Sequence, residues 1–255
     1  MDKERILAQL VDLSHRLGAP ERDFVVLGEG NTSARCSEDS FLVKASGVNL
    51  GTSSPSGFIE VSFGRILPLL DRERVSDDEV REALFGARVT PGPERPSVET
   101  LFHAFLLTLD GVSFVGHTHP TSVNSILCAR HGREALRGRL FPDEIVVCGP
   151  APVYVEYVDP GIPLAQAIRD GVRRHQQDYG ATPKAVLVEN HGLIALGATP
   201  DEALAITIMW DKTARVLAGT YAFGGPRYLS GENVDRIHTR PDEKCRQDLI
   251  TGRPR

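Results

Sequence analysis

The sequence lacks the paired cysteines of a disulfide scaffold or a thiolate zinc site. Its 255 residues contain four scattered cysteines, Cys36, Cys128, Cys148 and Cys245. No two of them form a C-x-x-C pair, the spacing typical of structural zinc sites and redox motifs. Disulfide-rich domains belong to oxidising compartments. The cysteine pattern therefore predicts a protein of the reducing cytoplasm.

Basic stripes and long apolar runs are also missing. The net charge is −5, with no cluster of lysine and arginine, which disfavours nucleic acid as a partner. No apolar stretch is long enough to span a bilayer, so we expect no membrane association. The N-terminus has helical apolar spacing rather than the core of a signal peptide. A hydrophobic content of 41% allows a sizeable buried core, as in a soluble enzyme.

Strand-like and helix-like segments alternate along most of the chain, with no internal repeat or low-complexity linker. This mixture predicts one α/β domain built around a sheet, over residues 1–223. Residues 224–255 are polar and poor in apolar residues, which predicts a tail that acts as a lid or an intersubunit arm. Extended segments are predicted at 24–27 and at 146–158, and a capped helix at 77–85.

The segment VLGEGNTSAR, residues 26–35, is close to the glycine fingerprint of dinucleotide-binding units. That fingerprint requires a helix immediately after the glycines. The following residues instead predict a strand, a polar turn and a second strand, and Ser33 replaces the third glycine. This disfavours a nicotinamide cofactor. The glycines are interpreted as a turn between strands whose N–H groups bind a phosphate, with Asn31 as the side-chain contact.

Three histidines have the spacing expected of a metal site. His117 and His119 follow a buried strand pattern, and residues two apart on a strand point to the same face. His191 lies in the turn ENHG between two apolar runs. Three neutral imidazoles on strand ends are typical of an open catalytic zinc site. Ordinary polar histidines at a strand end and a turn remain the alternative.

Glu99 is predicted in the first turn of a helix that Ser97 caps. Its carboxylate is a candidate metal ligand or general acid/base, and the alternative is simple stabilisation of the helix dipole. His103 lies one turn later on the same face and is interpreted as a packing histidine with satisfied hydrogen bonds.

Five segments of this chain resemble the class II aldolase/adducin family, typified by the zinc-dependent fuculose-1-phosphate aldolase. They are GEGNTSAR, LVKASG, RPSVETLFH, VGHTHP and VENHGLIALG, and they occur in the family's order and spacing over roughly residues 5–220. Each segment is weak alone, but five in register are specific. The resemblance implies a three-layer α/β/α sandwich around a mainly antiparallel sheet, usually assembled as a homotetramer.

The resemblance also implies a site. Zinc would be bound by His117, His119 and His191, with Glu99 at the metal in the resting state and as a proton carrier once substrate binds. Lys44 is a further candidate anion contact. The family's phosphate site matches Gly30, Asn31, Ser46, Gly47 and Ser97.

Two departures from the family leave the substrate less determined than the metal. Val98 stands where the phosphate aldolases have a second serine, which removes one hydroxyl donor. The family tyrosine that protonates the product has no counterpart in LFPDEIVVCG, and neither Tyr154 nor Tyr157 can be aligned with it.

The predicted activity is reversible cleavage of a ketose 1-phosphate to dihydroxyacetone phosphate and an aldehyde. A zinc ion would stabilise the negative charge that develops when the C–C bond breaks. A Schiff-base aldolase using Lys44 or Lys184 is one rival. The family's dehydratase, epimerase and decarboxylase activities remain open, as does an adducin-like binding module that has no catalytic activity.

Overall fold

The computed structural model describes residues 2–72 and 75–250, which build one seven-stranded sheet with helices on both faces. The strand order is β3-β2-β1-β4-β7-β6-β5, and every neighbouring pair is antiparallel except β5 and β6. This confirms the predicted sandwich around a mainly antiparallel sheet. The strands are β1 (Asn31–Arg35), β2 (Ser40–Lys44), β3 (Phe58–Ser62), β4 (Phe114–Thr118), β5 (Val153–Val155), β6 (Ala185–Val188) and β7 (Gly192–Gly197).

Local signals explain where several helices begin. Asp2 caps the first helix, Ser76 and Glu79 form the predicted capping box, and Thr199 caps the long helix that starts at Pro200. The α-helices are α1 (Lys3–Leu17), α2 (Phe63–Ile66), α3 (Asp77–Gly86), α4 (Thr100–Leu106), α5 (Thr121–Leu127), α6 (Gly132–Leu136), α7 (Pro142–Cys148), α8 (Ile162–Tyr179), α9 (Pro200–Thr220), α10 (Gly231–Thr239) and α11 (Pro241–Ile250).

Each face of the sheet has its own apolar core. On one face, strand residues such as Val115 and Ile194 pack with α4 and α8. On the other face, α1 packs on Ala34 and Leu42, while α9 covers the β6–β7 half of the sheet. The alternation of buried residues between the two faces follows the two-residue period of a strand.

Two predicted extended segments are wrong. Residues 24–27 form no strand, because Leu27 has a left-handed φ of 57° and its side chain is 81% exposed. The first strand begins only at Asn31, after the glycines, so the glycine turn leads from a loop into a strand. Within 146–158 only β5 is extended. Residues 146–148 belong to α7, since a short apolar run without periodicity does not distinguish a buried helix from a strand.

The topology brings the predicted site segments to one end of the sheet. Asn31, the first residue of β1, pairs with His117 near the end of β4. Thr118 pairs with Leu193 at the start of β7, so the turn that carries His191 lies at the same end. β2 runs antiparallel to β1, so Lys44 and the loop after it also lie there.

The polar tail contains α10 and α11 after a non-helical stretch at 224–230, and these helices contact α7 and α9. His238 and Gln247 of the tail line a cavity of about 390 Å³ together with Gly111 and Lys184. These last two residues lie before β4 and β6, at the end of the sheet opposite the histidines. A tail that acts on a neighbouring subunit remains a proposal. Among the described residues, no helix has the length and apolarity needed to cross a membrane.

Candidate metal centre

His117, His119 and His191 converge on one point. Their ligand nitrogens lie within 4.8 Å of one another. His117 Nε2 is 3.0 Å from His119 Nε2 and 3.3 Å from His191 Nε2. Three imidazole nitrogens directed at one another at this separation match the donor set of a three-histidine zinc site with an open fourth position. The three residues thus fit a divalent transition metal.

Hydrogen bonds on the far side of two rings orient them. His117 Nδ1 lies 3.1 Å from the Leu193 carbonyl, and His119 Nδ1 lies 3.0 Å from Glu29 Oε2. Both partners are acceptors, so the neutral form of each ring carries its proton on Nδ1, which leaves the Nε2 lone pair for a metal. The pKa of His119 is lowered to about 4, mainly by burial and secondly by the nearby His117. This ring is therefore neutral at neutral pH.

The turn between β6 and β7 places the third histidine. Asn190 has a φ of 52°, and the Asn124 amide donates to the His191 carbonyl over 3.0 Å. Gly192 leaves room for the His119 ring, because a Cβ there would approach His119 Cδ2 to 2.6 Å. The sequence Asn-His-Gly therefore meets both the turn geometry and the close packing of two candidate ligands.

Glu99 directs one oxygen at the histidines. Its Oε1 is 3.1 Å from His191 Nε2 and 3.4 Å from His117 Nε2, while its Oε2 accepts from the Asn31 amide. Burial opposes ionisation of Glu99, but the charge and hydrogen bonds of His117 and His191 outweigh it. The pKa of this carboxyl is therefore held well below its ordinary value. Glu99 occurs as a carboxylate, available as a ligand or a base.

Ser97 is not the cap of the following helix, contrary to the sequence prediction. The helix α4 begins at Thr100, with Glu99 at the cap position and no side-chain cap. The Ser97 hydroxyl is buried and has no hydrogen-bond partner among the described residues. Val98, which stands where the phosphate aldolases have a second serine, is 43% exposed.

Sequence reasoning missed Glu29, the acid between the two glycines of the opening motif. Its Oε2 contacts His119, and its Oε1 accepts from the Val26 N–H over 2.5 Å. The left-handed φ values of Leu27 and Gly30 turn the loop so that this carboxylate reaches the ring. Metal-binding histidines commonly donate to a carboxylate in this way. The sequence signal that could have identified Glu29 is its position directly beside Gly30, a glycine of the predicted site.

We expect Glu29→Gln to bind zinc about 10-fold more weakly than the unaltered protein, because a neutral amide orients and polarises His119 less than a carboxylate does. A competition titration with a chromophoric chelator measures this. Glu38→Gln, in the exposed β1–β2 turn, is the matched control and should bind zinc normally. Equal zinc affinities for the two variants would show that Glu29 does not contribute to metal binding.

The candidate anion-binding segments lie beside one another. The Ser46 N–H donates to the Arg95 carbonyl over 2.9 Å, and the backbones of Ala45 and Pro96 form an isolated bridge. The Asn49 amide donates to the Leu27 carbonyl over 2.5 Å. The loop after β2 therefore joins the glycine loop to the segment before Glu99. Gly30, Gly47 and Ser97 lie on these three segments.

Lys44 and Lys184 lie in different places. The Lys44 ammonium is buried and donates to the Val48 carbonyl over 2.5 Å, which ties down the loop that carries Ser46 and Gly47. Burial lowers the pKa of Lys44. Lys184 pairs with the buried carboxylate of Glu202 at the opposite end of the sheet. Of these two lysines, Lys44 alone is near the histidine centre.

This chain is similar to known proteins over most of its length. The family described as "Class II Aldolase and Adducin N-terminal domain" matches residues 8–218. A curated relative, the "Uncharacterized oxidoreductase YuxG" of Bacillus subtilis (strain 168), is 31% identical in an alignment of 233 positions that covers 86% of this chain. The chain spans only 31% of the length of that relative.

Solved structures share the fold. The N-terminal class II aldolase domain of a conserved Thermoplasma acidophilum protein has a TM-score of 0.66 and 26% identity, over 86% of this chain and 96% of that one. An L-fuculose 1-phosphate aldolase has a TM-score of 0.69 and 18% identity, over 93% of this chain and 96% of that one.

Proposed function

Because the chain belongs to the class II aldolase and adducin family, we propose that it is a zinc-dependent aldolase. The proposed reaction is the reversible cleavage of a ketose 1-phosphate, such as a deoxyketose 1-phosphate, to dihydroxyacetone phosphate and an aldehyde. The observation that carries this proposal is the pairing of three convergent histidine nitrogens with one carboxylate oxygen, Glu99 Oε1.

His117, His119 and His191 would hold the metal, which when bound would supply Lewis acidity toward the oxygens of a sugar. Glu99 has the geometry of a proton carrier, since Oε2 is occupied by Asn31 and Oε1 faces the centre. In the cleavage direction a base removes the proton of the hydroxyl at the breaking C–C bond. That carbon becomes the aldehyde, and the electron pair left on the other fragment is later protonated. We assign both proton movements to Glu99 Oε1.

The substrate phosphate would be bound by the neighbouring segments at the same end of the sheet. The proposed contacts are the backbone at Gly30 and Gly47 and the hydroxyls of Ser46 and Ser97. The Lys44 ammonium would contribute indirectly, by holding the loop that carries Ser46 and Gly47. Asn31 donates one amide N–H to Glu99 and its Oδ1 contacts His103, so a substrate contact at Asn31 would use the second N–H of the same amide. Binding the phosphate orients the reacting end of the sugar from a distance.

A coupled assay for dihydroxyacetone phosphate across a panel of ketose 1-phosphates tests the proposal. The assay is run as purified, after chelation and after zinc is added back. We expect release from at least one substrate, loss on chelation and recovery with zinc. Borohydride trapping of Lys44 with substrate would instead establish the Schiff-base route.

Two outcomes contradict the aldolase assignment. A metal-loaded protein that releases no dihydroxyacetone phosphate from the panel would favour a dehydratase, epimerase or decarboxylase on the same site. Purified protein without any divalent ion, and unable to bind one, would favour an adducin-like binding module. The homotetramer is part of the proposal, and light scattering of the purified protein tests it.

A further inference from the structure

A buried line of hydrogen bonds ends on Glu99. His103 is fully buried on α4, and its Nδ1 lies 2.7 Å from the Ser33 hydroxyl. His103 Nε2 contacts Asn31 Oδ1, and Asn31 Nδ2 contacts Glu99 Oε2. Ser33 and Asn31 are two apart on β1 and face α4, while Glu99 and His103 are one helical turn apart.

The chemistry of the partners gives each bond one direction. A carboxylate only accepts, so Asn31 must present its NH₂ group to Glu99 and its carbonyl oxygen to His103. That oxygen also only accepts, so His103 Nε2 carries a proton. Burial lowers the pKa of His103 to about 3, so the ring is neutral and its Nδ1 is an acceptor. Ser33 therefore donates to Nδ1.

We infer that His103 and Asn31 are positioning residues for Glu99, and this inference rests on the proposed function because it takes Glu99 as the proton carrier. A flipped Asn31 amide would turn its NH₂ group toward the Nε2–H of His103, so that two donors would face each other. His103 therefore prevents the amide from flipping. The unflipped amide binds Glu99 Oε2 and leaves Oε1 facing His117 and His191. Oε1 is therefore the carboxylate oxygen that is placed for proton transfer at the centre.

This role differs from simple packing in what a substitution at His103 should do. A glutamine amide nitrogen can replace Nε2 and donate to Asn31, whereas an asparagine is shorter and replaces only the contact of Nδ1 with Ser33. The two variants bury similar polar groups in the same space. Comparing them therefore separates the effect of losing the hydrogen bond to Asn31, which acts on Glu99, from the effect of changing the side chain that fills the cavity.

The experiment compares His103→Gln and His103→Asn after loading with cobalt(II). We expect His103→Asn to change the visible cobalt spectrum and to bind cobalt about 10-fold more weakly, because Glu99 is no longer held at the centre. In the substrate assay, kcat should fall about 10-fold or more while KM stays within two-fold. His103→Gln should restore the spectrum, the affinity and kcat. Thermal unfolding checks that both variants are folded.

The inference is overturned if the two folded variants behave alike, either both unchanged or both equally impaired. Failure of the proposed function gives a different result. If the unaltered protein turns over no substrate in the panel, the cobalt spectrum and affinity still decide whether His103 positions Glu99. Ser33→Ala, at the far end of the line, should change the cobalt spectrum less than His103→Asn does.

Discussion

His119→Ala is expected to be purified without stoichiometric metal and to lose about 10²–10³-fold or more in kcat/KM, comparable to removing one stabiliser of transition-state charge. The ring is one of three convergent donors, and its Nε2 is 3.0 Å from that of His117. Two remaining imidazoles form an incomplete site, because catalytic zinc is ordinarily held by three protein ligands. Metal analysis of the purified variant and the coupled assay measure the two losses.

The matched control is His131→Ala, which removes an exposed histidine at the start of α6 that makes no side-chain cap. This variant should keep both its metal and its activity. A His119→Ala protein that contains no metal but retains full activity would disprove the metal-dependent mechanism. Normal metal content in that variant would instead remove His119 from the ligand set.

Glu99→Gln is expected to lose about 10²–10⁴-fold in kcat while it still binds metal, since a positioned acid/base contributes that much to proton transfer. Glutamine fills the same space beside Asn31 but cannot accept a proton at neutral pH. The three histidine donors remain in place. This separation of activity from metal content distinguishes a proton carrier from a residue that serves only as a ligand.

Steady-state kinetics with metal analysis of the same preparation checks this prediction. Glu21→Gln, at an exposed site in the short helical turn after α1, is the control and should match the unaltered protein. An active Glu99→Gln protein would assign the proton movements to another group. A variant that loses its metal completely would mean that Glu99 is required to hold the ion.

Much of the centre could be predicted because its signals are local. His117 and His119 are two residues apart at the end of an apolar run, and the strand period places them on one face. The Asn-His-Gly turn between two apolar runs predicts where His191 lies, and the structure has a turn there between β6 and β7. The five segments in register predicted the fold, which the strand order confirms.

The residues around the centre were harder to predict, because their partners are distant in sequence. Glu29 reaches His119 across 90 positions, and it does so only because Leu27 adopts a left-handed φ that a strand prediction does not allow. Asn31 was predicted as a substrate contact, yet its amide lies between Glu99 and His103, 68 and 72 positions away. No residue pattern near Asn31 indicates either partner.

The sequence by itself determined which chemical groups are present, the period that pairs two histidines, and the order of segments that specifies the family. The tertiary structure alone decided how the polar groups share their hydrogen bonds. It placed Glu29 on His119 and oriented Asn31 toward Glu99. The physical reason is that donors and acceptors in a buried site must be satisfied together. That condition depends on four strands and a helix meeting at one end of the sheet, which no single segment encodes.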